Sequence, residues 1–400
     1  MSTRQRPRWK NGVLRRQGES CSDMSVVVVS SSEDEVQEVP VIDLTQRNMA
    51  SLRLICLRQS SFVDHSARDF FRMHLALGAE ALHRCGRVSA EVQQKYFNLL
   101  PRNIHTALVQ RQRCMFTWKL DTTSLTLLKH GILPWVPGND MLQEKAFRNI
   151  LVGVSVLFTS QRLRHMLSYL DPAMTAETFR DAMLQTCGRV APSPAIAGAL
   201  RGMLSRYGHH NAFENGVALA VDLCRRSSAS WKALTEARRR STSNDGTSIT
   251  KKILRQHLQL GPFVTLIVMR YMSFIDPWFY NENSSTEIGQ YARMGIFLLT
   301  GMTGADAYEK SIGRHLEEAS RLLKELLTHA SQELDHLDED GIVRKLQQLG
   351  LQPLKAATFQ HLLCEYRKAI CSKGRPYRRS QTTPTADYAV LYQNVCHAFL

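Results

Sequence analysis

Between Cys224 and Arg255 stand Arg225, Arg226, Lys232, Arg238, Arg239, Arg240, Lys251, Lys252 and Arg255, opposed within that stretch only by Glu236 and Asp245. A second cluster gathers Arg367, Lys368, Lys373, Arg375, Arg378 and Arg379 around one acid, Glu365. A third and thinner one holds Arg162, Arg164, His165, Arg180 and Arg189. Guanidinium and ammonium groups in such density suit phosphate contacts, which fix the register of a nucleic acid without reading its bases. The alternative is a set of solvated helix faces and loops with no ligand. The shortage of local acids favours phosphate capture in the first two clusters. Only Trp231, Tyr366 and Tyr377 interleave with the cations, so base stacking is expected to be secondary to backbone capture.

Patterns for covalent or metal chemistry are missing from the sequence. It has no GxxxxGK[ST] loop and no GxGxxG fingerprint, and Gly301-Met302-Thr303-Gly304 lacks the lysine of a phosphate loop. HExxH and GxSxG are absent. Asp338-Glu339-Asp340-Gly341 copies part of a calcium loop without the later bidentate Glu, and reads as a solvated helix end. His209-His210 has no further ligands at metal spacing. The nine cysteines, at 21, 56, 85, 114, 187, 224, 364, 371 and 396, form no CxxC and no zinc-finger spacing. An odd number so widely spread reads as reduced thiols of an intracellular protein. The expectation is a non-enzyme with neither metal nor cofactor.

The whole chain shares the bias of its clusters. Lys plus Arg number 51 against 36 for Asp plus Glu, a net charge of +15 over 400 residues. With 44% hydrophobic residues and 22% charged, two or three domains with buried cores are expected. The basic excess suits an acidic partner. The first seventeen residues carry Arg4, Arg6, Arg8, Lys10, Arg15 and Arg16 and no acid at all until Glu19. They read as a nuclear-import signal or nucleic-acid arm, or as a solvated tail. They lack the apolar segment of a signal peptide. The most apolar run, Phe263 to Met269, is cut by Arg270 and too short to span a bilayer. No membrane partner is expected, and the protein should stay on the cytosolic side of its compartments.

Val26-Val27-Val28-Val29 is followed by Ser30-Ser31-Ser32 and Glu33-Asp34-Glu35, and a second apolar patch runs through Val39, Val41, Ile42 and Leu44. Four β-branched residues in a row favour an extended strand. A strand with trailing serines and acids resembles a SUMO-interacting motif, in which the strand adds to a sheet edge and the acids meet a basic rim. The other reading is a hairpin that opens the folded domain.

From about Ser51 the pattern is helical. Ser66 can cap a helix carrying Phe70, Phe71, His74, Leu75, Leu77 and Leu82, closed by Gly86. Ser89 starts another, with Val88, Val92, Tyr96 and Leu99 on one face and Pro101 beyond it. Leu133 to Asp140 is a turn-rich break and Met141 to Phe158 reads as a buried helix, with Pro172, Pro192 and Pro194 punctuating the chain beyond it. Ser241 to Ser248 is a polar loop between helices, and Gly261-Pro262 ends one helix and begins the next. The spacing of Ile312, Leu316, Ala319, Leu323, Leu326 and Ala330 is heptad-like, with Glu317 and Arg321 placed for an i,i+4 pair. It predicts one packed bundle helix.

Trp231-Lys232-Ala233-Leu234, the Arg-rich loop, Ile253-Leu254-Arg255-Gln256 and the run from Gly261 to Arg270-Tyr271 together resemble nucleoproteins of non-segmented negative-strand RNA viruses. The likeness is to those of paramyxovirus, bornavirus or nyamivirus type, or a host-captured copy of one. That family shows a helix, a glycine and an apolar run ending in a basic–aromatic pair. Its closing tyrosine motif is matched by Tyr388, Leu391 and Tyr392, with Ala389 in place of its proline. The resemblance spans roughly residues 225–396, and more weakly 141–165. It implies an all-α, two-lobed helical core: a flexible arm over 1–48, an N-terminal lobe over 49–260 and a C-terminal lobe over 261–400. It implies single-stranded RNA held in a basic cleft between the lobes, with the family's RNA-contacting aromatic falling at Gln256. It further implies self-assembly into a helical nucleocapsid, with a viral phosphoprotein and polymerase as partners, in the virion and in the host nucleus or cytoplasm. The competing expectation is a nuclear regulator, viral or captured, that acts through SUMO-dependent contacts.

Overall fold

Polar side chains placed one residue ahead of a helix set where several of the described helices begin. In the computed structural model Ser89 accepts from Val92 N, Asn139 from Leu142 N, Thr159 from Arg162 N, Thr175 from Thr178 N, Asn211 from Phe213 N and Thr303 from Asp306 N. Each takes up one of the amide groups that a helix start leaves without a partner. The structure describes residues 61–111, 116–117, 119, 121–189, 192–193, 207, 211–283, 288–313 and 315–371. The Val-rich patches with Val26, Val27, Val28, Val29, Val41, Ile42 and Leu44 lie outside the described residues, as do His209-His210, Lys373, Arg375, Tyr377, Arg378, Arg379 and the tyrosine motif.

The fold is all-α, with fifteen α-helices among the described residues. They are α1 (Asp64–Arg84), α2 (Ala90–Asn98), α3 (Arg102–Arg111), α4 (Thr122–Leu127), α5 (Asp140–Ser155), α6 (Ser160–Met166), α7 (Ala176–Cys187) and α8 (Ala212–Arg240). After these come α9 (Thr247–Leu258), α10 (Pro262–Met272), α11 (Gln290–Leu299), α12 (Gly304–Ile312), α13 (Leu316–Leu337), α14 (Ile342–Gln348) and α15 (Ala356–Cys371). A π-helical turn, Leu128–Ile132, extends α4. One parallel bridge, Leu157 to Ser193, is the extended pairing recorded among the described residues. All of the described residues fall within one compact unit, Arg53–Leu400.

Two groups of helices meet in this unit. In the first, α1 packs against α2, α11, α13, α14 and α15. Phe70, Phe71 and His74 of α1 reach Phe359 and Tyr366 of α15 and the ring of Phe116, with ring centroids 5.2–5.8 Å apart in the closest pairs. α11 crosses α15 at Gly295, where a β-carbon would stand 2.2 Å from the Leu363 carbonyl oxygen. In the second group α5 lies against α8 and α10. Trp231 of α8 stacks on Phe147 and donates its indole N–H to the Asp140 carbonyl at 3.1 Å. α10 enters at Gly261-Pro262 as expected, and its basic–aromatic pair is buried: Tyr271 donates to Ser124 Oγ at 2.6 Å and Arg270 to Gln360 at 3.1 Å.

Four local expectations change. α1 begins behind Val63, so Ser66 lies in its first turn and caps nothing; Val63 N instead bonds the Leu299 carbonyl at 2.9 Å. The heptad-like run is broken at Gly313. Ile312 ends α12 and is 56% exposed, while Ala319, Leu323, Leu326 and Ala330 line the buried side of α13. Arg321 pairs with Glu325 at 3.1 Å, not with Glu317, because Glu325 also binds the Ser61 hydroxyl and amide. The acidic turn after α13 is a structural latch. Asp338 accepts from Ile342 N, Val343 N and the Tyr96 hydroxyl, and Asp340 pairs with Lys95.

His74 is fully buried among these rings, and neither ring nitrogen has a hydrogen-bond partner. Burial pushes its pKa from 6.5 down to about 3. The folded state therefore holds a neutral imidazole while the unfolded chain takes up a proton below pH 6.5. Its contribution to stability is complete above 6.5 and is lost at about 1.4 kcal/mol per pH unit as pH falls toward 3. Chemical denaturation between pH 7.5 and 5 should show this loss, and His74→Leu should remove most of it without lowering stability at pH 7.5. An unchanged acid limb in the variant would refute the assignment.

Candidate nucleic-acid interface

The first basic cluster folds as a helical hairpin. The 29 residues of α8 run beneath α9, and Arg226 donates to the His257 carbonyl at 3.1 Å, laying α9 back along α8. The turn between them is closed by Ser241 and Ser243, whose hydroxyls accept from Ser243 N at 3.2 Å and Asp245 N at 3.1 Å. Gly246 sits on the face of Trp278: its amide donates to the Trp278 carbonyl at 2.9 Å, and the indole N–H donates to the Ser243 carbonyl at 2.9 Å. Burial alone would raise the Asp245 carboxyl, but hydrogen bonds from Thr247 and Asn281 outweigh it and hold its pKa below the usual range.

Acids answer four of the cations, two of them from far along the sequence and two from one turn earlier in α8. Arg238 pairs with Asp276 at 3.0 Å and lies over the Trp278 ring; Arg239 pairs with Asp140 at 2.6 Å, Arg240 with Glu236 and Arg226 with Asp222. Local sequence counts Glu236 and Asp245 alone, whereas folding brings Asp140 from the start of α5 and Asp276 from the turn after α10. Arg225, Lys232, Lys252 and Arg255 are exposed and carry no ion pair among the described residues.

α9 is the most one-sided element of the hairpin. Thr247, Thr250, Leu254 and Leu258 face inward at three- and four-residue steps and are buried. Ser248, Lys252, Arg255 and Gln256 are exposed, and the helix contains no acid. Lys251 is half-buried, and its pKa is lowered by burial and then by Arg255 one turn on. Like charges at i,i+4 cost a few tenths of a kcal/mol.

The third cluster separates on folding. Arg162 is buried, its Nη1 without a partner, and burial lowers its pKa. Arg180 bridges α7 to Glu214 of α8 at 2.8 Å. Arg164 and Arg189 are exposed. Arg164 acts with Lys129 on His130, whose pKa falls through burial first and these two cations next. Lys129 and His130 join the basic surface without any local signal, because the π-helical turn that carries them packs on α6 from far along the chain. Of the aromatics interleaved with the cations, Trp231 and Tyr366 are each 3% exposed, so neither offers a free face to a base.

Among the described residues no group of three or more His, Cys, Asp or Glu is placed to hold a metal, and no helix is long and apolar enough to cross a membrane. No protein-family model, curated protein or solved structure matches the chain.

The hairpin turn depends on Gly246. A β-carbon there would lie 2.2 Å from the Trp278 ring. Gly246→Ala should force Trp278 off the turn and cost about 1–3 kcal/mol, the usual penalty for overpacking a close contact. Urea unfolding followed by tryptophan fluorescence reads both effects. A variant with unchanged midpoint and emission would show that the turn yields freely.

Proposed function

We propose that the chain is a non-catalytic nucleoprotein that binds single-stranded RNA without sequence preference and packages it by self-assembly. The observation that carries this reading is the outward face of the α8–α9 hairpin. Arg225, Lys232, Lys252 and Arg255 stand exposed there, and α9 supplies no carboxylate to neutralise them. Cations held on rigid helices with their own acids used elsewhere are the pattern that phosphate contacts require. Burial of Trp231 and Tyr366 fits backbone capture in preference to stacking. The resemblance of residues 225–396 to viral nucleoproteins points the same way and adds assembly into a nucleocapsid. The SUMO-dependent regulator remains the second reading, supported by the valine–serine–acid order of residues 26–35.

Charge reversal tests the first reading. Lys252→Glu with Arg255→Glu should leave helical content and melting temperature close to wild type, since both side chains are exposed. Binding to a fluorescent oligouridylate should weaken, and the salt dependence should become shallower by about 1.4 in slope for two lost contacts. Wild-type affinity and slope in the double variant would sink the assignment. Electron microscopy with excess RNA should show rings or filaments for the wild-type protein; a lone monomer at low salt would favour the regulatory reading.

A further inference from the structure

The α8–α9 turn carries three adjacent hydroxyls behind three arginines: Arg238-Arg239-Arg240-Ser241-Thr242-Ser243. They are not equivalent. Ser241 is half-buried; its Oγ accepts from Ser243 N at 3.2 Å and donates to the Ser243 carbonyl at 3.3 Å. Ser243 Oγ is occupied in the same manner by Asp245 N and the Asp245 carbonyl. Thr242 is exposed and makes no hydrogen bond among the described residues. Its hydroxyl is the one that stands free at the tip of the turn. Arg239 and Arg240, three and two residues ahead of it, have side chains 69% and 78% exposed.

We propose that Thr242 is a phosphorylation site for a Ser/Thr kinase that selects basic residues ahead of the acceptor, and that its phosphate closes the basic hairpin face to nucleic acid. The second half of this inference rests on the nucleic-acid reading of the hairpin. In the step itself Thr242 Oγ1 attacks the γ-phosphorus of ATP, the bond to the β–γ bridging oxygen breaks, ADP leaves, and the hydroxyl proton passes to the kinase's catalytic carboxylate. Kinases sort substrates largely by such charge patterns.

The electrostatic outcome depends on the groups that the arginines now hold. Arg239 and Arg240 are tied to Asp140 and Glu236, carboxylates whose side chains are 64% and 50% exposed. Exposed pairs of this kind are worth little and exchange readily. A phosphate of about −1.5 to −2 charges and three acceptor oxygens, two or three residues away, outcompetes a single carboxylate for them. Counting the cations of the cluster against Glu236, Asp245, Asp140, Asp222 and Asp276 leaves a net charge of about +4, which one phosphate reduces by about half.

The test uses the full-length protein, ATP and the catalytic subunit of a cyclic-AMP-dependent protein kinase, with the acceptor located by peptide mass spectrometry. One phosphate is expected on Thr242, absent in Thr242→Ala and reduced at least tenfold in Arg239→Gln/Arg240→Gln. Phosphate confined to Ser241, Ser243 or other sites, or incorporation indifferent to the two arginines, overturns the site. Phosphoprotein and Thr242→Asp are then compared with unmodified protein for binding to labelled oligouridylate. Affinity should fall about tenfold or more with a shallower salt dependence. If unmodified protein binds and phosphoprotein binds equally well, the closing role is overturned while the RNA reading stands. If unmodified protein binds no oligouridylate at low salt, the RNA reading itself fails and takes the closing role with it. The acceptor assignment is judged by mass alone.

Discussion

The closure of α1 on α15 is the contact on which the described structure depends. Tyr366 donates to the Ser66 carbonyl at 3.4 Å across 300 residues of chain, His74 is fully buried against the rings of Phe116 and Phe359, and Phe70 and Phe71 pack on Phe359 with Tyr366 against Phe70. Aromatic side chains of this size supply more buried area per residue than any aliphatic, with a further gain from edge-to-face geometry. Whatever lies between the two helices is constrained by that closure. α11, α13 and α14 dock onto the exposed sides of α1, and Gly295 lets α11 approach the α15 backbone where any side chain would hold it off.

A second division of labour is electrostatic. Many of the described arginines either hold elements together or face outward. Arg148 is 6% exposed and joins α5 to Ser227 of α8 and to the Leu170 carbonyl; Arg180 and Arg238 pair with carboxylates of other elements, and Arg226 links Asp222 of α8 to the His257 carbonyl of α9. A buried or half-buried guanidinium with its fork filled serves as a strut, because removing its partner would leave a desolvated charge. Arg225, Lys232, Lys252 and Arg255, exposed on α8 and α9, have no such duty. The basic excess of the sequence is therefore only partly a surface property.

Much of the fold was legible in the sequence. Ser89 and Gly261-Pro262 announced helix starts that the structure confirms, and the break from Leu133 to Asp140 ends where α5 begins. The failures have physical causes. Ser66 looked like a cap because a serine before an apolar run usually is one, yet the amide of Val63 finds its partner in Leu299, far along the chain. Ile312 matched the heptad spacing, but Gly313 ends the helix there and periodicity does not register a stop. The candidate site was legible in its cations and not in their partners: Asp140 and Asp276 reach Arg239 and Arg238 only through tertiary packing. The same limit hid Lys129 and His130 beside Arg164.

The long closure between α1 and α15 also sets an order of events at the ribosome. Residues 64–84 leave the exit tunnel with only α2 among their packing partners close behind, since α11, α13, α14 and α15 all begin at or beyond residue 290. At about 5–20 residues per second the aromatic face of α1 waits roughly 15–60 s for the helix that covers it. For that interval Phe70 and Phe71 are open to other nascent chains. Synthesis on crowded polysomes, where sister chains emerge a short distance apart, thus exposes this protein to mispairing of α1 from one chain with α15 of another, and a holdase that shields the first helix would raise the yield of correctly closed molecules.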